Sequence, residues 1–428
     1  MRALLVAAVS IVALASGWLS SAPAGAYGPL VSWNGDDWFL LGVNYPWLNY
    51  GHDFGCNAWG CDGVSTGGAY EANLADMNGK GVHLARWFVF ADLRAGVTFA
   101  PDGTPTGVQQ QVYDDLDRAL ELAAAHNVYL DLVLFDFYML KPAEFVSGVQ
   151  LFGRSDLMTD PAKRQALLEN VVAPVVTRYK NQPYILAWEV MNEPEWVISD
   201  LPEADPQTTA PMTMAQFWDF TADVSSLVRT RTNAYVTMGS ASLKWHRVWT
   251  NAFADAKGLP RPDLTLYQTH YYSWMDGWQW VNHPDLGTTK FSALEQSYAA
   301  LGLDRPMVVA EFDAPSGAAT LLDTIAANGY AGAWPWAYPN VGWTEFSSWE
   351  AAHAADVRIP PAGVIPTPQP PNAPVGGESE LGFAAPERLA ASGGSGGQGL
   401  AVALAAGAGL ALVITCGVAL ARRRSSNG

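Results

Sequence analysis

Ile185-Leu186-Ala187-Trp188-Glu189-Val190-Met191-Asn192-Glu193-Pro194-Glu195-Trp196 begins as an apolar run and ends in polar residues around a proline. The run suits a buried strand, and Pro194 removes a ladder donor and stops it. Glu193 is thereby left at the carboxyl end of a core strand, beside the amide of Asn192. In a parallel α/β barrel, that end of the strands is where chemistry is done.

Outward from this stretch the chain alternates. Strand-like segments at 39–44, 82–88, 128–135, 185–191, 234–239, 264–270, 306–311 and 331–336 are separated by helix-like ones. The helical segments are 69–80, 108–126, 160–179, 214–230, 291–301, 318–328 and 347–356, with Asp160 placed to cap the third. In the second, Val112, Leu116, Leu120 and Ala124 share one face. Before the first strand, Asn34-Gly35-Asp36-Asp37 predicts a hairpin turn. Eight strands alternating with helices predict an α/β fold, a (β/α)₈ TIM barrel over 27–358. An open doubly wound sheet is the alternative, but no Gly-rich dinucleotide loop follows the first strand.

The two ends read differently from the middle. Residues 1–26 carry one charge, Arg2, then an apolar core and Ala24-Gly25-Ala26, which predicts a cleaved secretory signal. An N-terminal membrane anchor is the alternative, with a short apolar core for a span. Residues 359–398 are rich in Pro, Gly and Ser and read as a linker. Residues 399–421 hold no charge and precede Arg422, Arg423 and Arg424. At ~1.5 Å per residue that segment reaches about 34 Å, enough for one transmembrane helix. The basic tail, 422–428, would then be cytoplasmic and the barrel extracellular at the cell surface. A processed surface-sorting signal is the alternative, but no Leu-Pro-x-Thr-Gly sequence is present.

Arg2 and the tail arginines aside, 20 basic residues stand against 41 acidic ones. Such a surface repels nucleic acid and anionic lipid, whereas neutral polysaccharide is compatible with it. With 18 Trp, 16 Tyr and 16 Phe, the chain has many rings suited to stacking on the apolar face of a pyranose. Cys56 and Cys61 flank a four-residue segment, and an oxidising compartment favours a disulfide over two free thiols. Cys416, inside the expected span, reads as a small apolar residue.

A second carboxylate stands in the same context as Glu193. Pro306-Met307-Val308-Val309-Ala310-Glu311-Phe312-Asp313 is an apolar run ending in acid. Retaining glycosidases hold two carboxyl groups about 5–5.5 Å apart, one attacking the anomeric carbon and one protonating the leaving oxygen. Either glutamate alone is an ordinary strand end; the two together point to that chemistry.

With Arg86 ending the second strand, Asn192-Glu193-Pro194 the fourth, His270-Tyr271-Tyr272 the sixth, Glu311 the seventh and Trp334-Pro335-Trp336 the eighth, the chain resembles the retaining (β/α)₈ glycosidases. It is most similar to glycoside hydrolase family 5, the cellulase and mannanase group. The resemblance implies that Glu193 is the general acid/base and Glu311 the nucleophile, oriented by Arg86 and Tyr272. It implies further that Asn192 binds a sugar 2-hydroxyl, His270 lines the catalytic subsite, and Trp336, rather than Trp334, lies under the sugar. Read structurally instead, Arg86 would only neutralise Glu189, and His270 would be a core histidine.

Two departures from the family concern the substrate. Phe135-Asp136-Phe137-Tyr138 stands where many members carry a histidine, so Asp136 is assigned to sugar hydroxyls. The loop Trp47-Leu48-Asn49-Tyr50-Gly51-His52-Asp53, with the cysteine pair after it, fits no pattern of the family. Tyr45, Trp47, Trp196, Trp274, Trp278 and Trp280 follow strand ends and are candidate cleft residues. There is no His-Glu-x-x-His, no Gly-x-Ser-x-Gly and no phosphate loop, so neither a metal nor another cofactor is expected. The reading is a monomeric, membrane-anchored retaining β-glycosidase acting on β-mannan or β-glucan. A non-catalytic surface protein that binds carbohydrate on an inherited barrel is the second.

Overall fold

The apolar runs become parallel strands that pair in a ring. In the computed structural model, which describes residues 28–362 apart from 205, 209 and 210, they are β1 Leu40–Asn44, β2 Leu84–Phe88, β3 Tyr129–Asp136, β4 Ile185–Asn192, β5 Tyr235–Gly239, β6 Tyr267–His270, β7 Met307–Glu311 and β8 Gly332–Ala333. Hydrogen bonds join them in the order β5-β4-β3-β2-β1-β8-β7-β6. Across the last seam the Thr265 amide donates to the Val236 carbonyl and the His270 amide to the Ser240 carbonyl, both at 2.9 Å. The result is a nearly closed (β/α)₈ barrel. Helices cover its outside, so β1, β2, β3, β4 and β7 are buried along their whole length.

The helices longer than four residues are α1 Tyr70–Gly79, α2 Gln110–Ala125, α3 Pro161–Leu167, α4 Ala173–Arg178, α5 Met214–Arg231, α6 Asn251–Lys257, α7 Ala318–Ala327 and α8 Trp343–Ala352. The expected apolar stripe of α2 is the one buried, through Val112, Leu116 and Leu120. Asp160 caps α3 by accepting from the amides of Ala162 and Lys163, and a π-helical turn at Leu168–Val172 carries α3 into α4.

Three expectations are corrected. Residues 291–301 are not a helix; only a 3₁₀ turn at Tyr298–Leu301 forms there. Their carbonyls are taken by distant donors instead: Asn328 Nδ2 bonds Ala293 and Leu294, and the Tyr330 hydroxyl bonds Gln296. The eighth strand is two residues long rather than six, because Pro335 interrupts regular pairing, although the Asn44 amide still bonds the Pro335 carbonyl and Trp336 bridges Asp313. The packed domain also runs past 358: Ile359 is buried, and the Tyr129 hydroxyl bonds the carbonyl of Pro360 at 2.7 Å. Hairpins at Val97–Phe99/Pro105–Val108, Glu144–Val146/Val149–Leu151 and Gln279–His283/Gly287–Lys290 are additions that periodicity did not disclose.

The expected signal at 1–26, the linker beyond 362, the span at 399–421 and the basic tail lie outside the described residues. Among the described residues, no helix is long and apolar enough to cross a membrane.

Candidate active site

The site is built around Arg86, whose guanidinium is completely buried at the mouth of the strands. Its five N–H groups meet five acceptors. Nε and Nη2 form a fork on Glu189 at 2.7 and 2.6 Å; Nη1 bonds Asn44 at 2.9 Å and Glu311 at 2.6 Å; Nη2 also bonds Asn192 at 2.9 Å. A planar guanidinium can do this and a point-charge ammonium cannot. Arg86 thus does more than neutralise Glu189: it bonds Glu189 below and Glu311 above.

Strict strand alternation would put Glu189 and Asn192 on opposite faces. They reach the same guanidinium because three steps of β4, from Glu189 to Asn192, pair with two of β5, from Thr237 to Gly239. That bulge re-aims the end of β4 into the barrel mouth. Gly239 makes room for it: a Cβ there would lie 2.3 Å from Glu189 Oε1 and 2.8 Å from Arg86 Nη2.

Glu193 follows the bulge with φ 45°, left-handed backbone that is unfavourable for glutamate. Its amide is held by the Gly239 carbonyl at 2.7 Å. One carboxylate oxygen, Oε1, lies 2.8 Å from His270 Nδ1, and the other accepts from Trp196 Nε1 at 2.9 Å. Glu311 accepts from Arg86 on Oε1 and from the Tyr272 hydroxyl on Oε2 at 2.9 Å, with His270 Nδ1 3.4 Å from Oε2. Within the trio Glu193, His270 and Glu311, one donor atom from each lies within 4.8 Å of the others. An oxygen of each carboxyl group therefore lies within 4.8 Å of one on the other, which fits the closer spacing of double displacement and not the wider spacing of inversion.

The surroundings of the two acids differ. Burial pushes Glu193 up to about 7, opposed by the Trp196 hydrogen bond and the Arg86 charge. Burial raises Glu311 as well, and so does the charge of Glu193, but the directly bonded Arg86 and the Tyr272 hydroxyl favour its charged form. Of this coupled pair, Glu311 is the first to ionise and Glu193 the one to keep a proton. Glu193 is also the more open, its side chain 16% exposed against 5% for Glu311, which suits the group that meets leaving oxygen and water. Burial lowers His270 to about 4, so its ring is neutral near pH 7. The trio could also gather a cation, yet a guanidinium 2.6 Å from Glu311 already supplies positive charge and would repel one.

Asp136 ends β3 beside this group. Its Oδ2 lies 3.3 Å from Asn192 Nδ2, and burial, with Glu193 nearby, raises it to about 7. Trp336 is half-buried with its ring edge-on to Trp47 at 5.9 Å, whereas Trp334 is fully buried and bonds the Leu40 carbonyl. Trp47 stands between Trp336 and Tyr50, whose ring is 4.7 Å away. Tyr45 is corrected. It is buried in the core, packed on Trp87 and Tyr338, with its hydroxyl accepting from Asn73, because its position turns it outward toward α1. Trp280 is likewise tied down, its Nε1 bonding the Lys244 carbonyl, while Trp274 and Trp278 stand exposed. Cys56 and Cys61 are joined in a disulfide, Cα–Cα 4.5 Å.

Sequence reasoning missed Asn44, whose Nδ2 bonds the carbonyls of Ala310 and Trp334 while its oxygen holds Arg86. It also missed Glu195, fully buried and bonded by Ser240 at 2.6 Å, Trp249 at 2.7 Å and the Ala241 amide at 3.1 Å. A polar residue ending the first strand and an acid directly after Pro194 were the available signals.

A barrel whose mouth holds two facing carboxyl groups, one poised to donate a proton and one held as an anion, has the site of a retaining glycoside hydrolase. The chain belongs to the cellulase family of glycosyl hydrolases, family 5, whose model matches residues 51–351. It is similar to the mannan endo-1,4-β-mannosidase of Mytilus edulis, 26% identical over 345 residues, covering 74% of this chain and 88% of that protein. The enzyme of the same name from Cryptopygus antarcticus is 28% identical over 364 residues, 78% and 88% of the two chains. The solved structure of β-1,4-mannanase from Aplysia kurodai shares the fold, with TM-score 0.64, 20% identity, and coverage of 78% and 98%.

Proposed function

We propose that this glycoside hydrolase cleaves β-1,4-linked mannan at internal bonds with retention of configuration. The observation that carries the reaction type is the asymmetry of the acid pair: Glu311 is clamped by Arg86 and Tyr272, and Glu193 is paired with neutral His270 and Trp196. The names of the relatives support mannan as the substrate. Exposed Trp274 and Trp278 on the loop after β6, together with the Trp47–Trp336 ring pair, support a groove that accepts a chain along its length.

Glu311 attacks the anomeric carbon as the glycosidic C–O bond breaks, and Glu193 gives its proton to the leaving oxygen. Water then attacks the same carbon, yields a proton to Glu193, and releases Glu311 as carboxylate. Asn192, already bonded to Arg86 through its oxygen, presents its amide N–H groups toward Asp136 and the sugar 2-hydroxyl.

The barrel works outside the cell, led there by residues 1–26 and tethered by 399–421, on the apolar character of both segments. It acts as a monomer. Product profiling on mannan, cellulose and short oligosaccharides, with Glu311→Ala as control, tests the reaction and substrate. Release of medium-length manno-oligosaccharides by wild type alone is expected; equal binding without cleavage by both proteins would overturn the reading. Membrane fractionation of cells with and without 399–428 tests the tether.

A further inference from the structure

The loop between β1 and α1 has no part in the acid pair, yet it is built rigidly around an exposed indole. Trp59 sits inside the Cys56–Cys61 ring and is 40% exposed. Its amide bonds Asn57 Oδ1 at 2.8 Å, and its indole N–H donates to the Val146 carbonyl of the hairpin after β3 at 3.1 Å. Asn57 and Gly60 exchange two backbone bonds of 3.1 Å beneath it, and His52 Nε2 meets the Gly60 carbonyl at 2.9 Å. A large ring held this firmly in solvent is not core filling. It loses little freedom when a ligand covers it.

The ring is continuous with the cleft wall. Trp336 touches Trp47 at 5.9 Å, Trp47 touches Tyr50 at 4.7 Å, and the Arg94 guanidinium lies 4.5 Å from the Tyr50 ring and 5.9 Å from Trp59. Arg94 is fixed by a fork on Asp92, both bonds 2.8 Å. An aromatic wall of this kind matches the apolar faces of a pyranose chain.

We propose that Trp59 is a remote sugar platform that holds a β-linked polysaccharide beyond the catalytic subsite, reached along Trp336, Trp47 and Tyr50. The proposal rests on the mannan reading. Phe145 and Val146, 74% and 44% exposed on the adjoining hairpin, widen the same apolar surface.

The test compares long-chain β-mannan with a four-sugar manno-oligosaccharide, using the full chain and Trp59→Ala. A platform predicts that the ratio of kcat/KM on long to short substrate falls about 5- to 10-fold, through KM on the polymer, and that Trp59→Phe recovers most of it. Retardation in a mannan-containing native gel should weaken in parallel. An unchanged ratio, or an equal fall on both substrates, overturns the platform while leaving mannan hydrolysis intact. If the wild type cleaves neither substrate, the mannan reading itself fails and takes the platform with it.

Discussion

Arg86 Nη1 donates to Glu311 Oε1 at 2.6 Å, and the same nitrogen bonds Asn44, so the guanidinium has no donor to spare. Glu311, the proposed nucleophile, is thus tied to β1, β2 and β4 through one side chain. Replacing Arg86 by Lys keeps the charge but abandons most of these bonds. It should lower stability by about 3–5 kcal/mol, the usual result of breaking a buried charge pair, and lower kcat sharply. Thermal denaturation alongside initial rates measures both; a variant as stable and active as wild type would contradict this role.

Gly239→Ala attacks the same network without touching a polar group. The added methyl would lie 2.3 Å from Glu189 Oε1, against a carboxylate with no room to move. Overpacking of this kind costs about 1–3 kcal/mol, seen as a lower denaturation midpoint.

The two acids can be told apart by rescue with azide. Glu311→Ala and Glu193→Ala should each lose about 10³-fold or more in kcat on unactivated mannan. With azide and an activated glycoside, the first should form the inverted glycosyl azide and the second the retained one. Stereochemistry by NMR assigns the roles, and the reverse pattern would exchange them.

Activity should fall above pH about 7, where Glu193 loses its proton. Trp196 Nε1–H stabilises the Glu193 carboxylate, so Trp196→Phe removes a hydrogen bond that favours ionisation. The acid then keeps its proton longer, and the alkaline limb of kcat/KM should move to higher pH. A limb that stays in place would show that the indole does not act on Glu193.

Glu195 gives a stability signal of its own. Burial raises it from 4.5 to about 7. Between those values only the unfolded chain has released the proton, so the folded state binds more protons and its stability falls as pH rises through that window. Above about 7 the effect is complete. Glu195→Gln cannot titrate, so its melting temperature relative to wild type should rise from pH 4.5 to 7. His246 and His270, both lowered to about 4, act oppositely in both proteins and cancel in the comparison.

Much of this was written locally. The run Ile185–Asn192, the proline after Glu193, and a second acid ending Met307–Glu311 determine two strands and the placement of two carboxyl groups, because burial and the missing proline donor act on nearest neighbours. Trp334 and Trp336 share strand parity, yet Trp334 is fully buried and Trp336 only partly so. Residues 291–301 read as helical from their own composition, but Asn328 and Tyr330 claim the carbonyls that a helix would use. Tyr45 and Trp47 are two residues apart, yet one enters the core and the other the cleft wall, a choice made by Asn73, Trp87 and Phe88 from distant segments.

The acid pair itself divides the same way. Sequence alone determined that Glu193 and Glu311 each end a core strand. The proposed division, with Glu311 as the anion and Glu193 as the proton donor, depends on Arg86, Tyr272, His270 and Trp196, which converge from β2, from either side of the end of β6, and from the turn after β4. Proton affinity depends on burial and on charges a few ångströms away in space, and closure of the barrel is what brings them there.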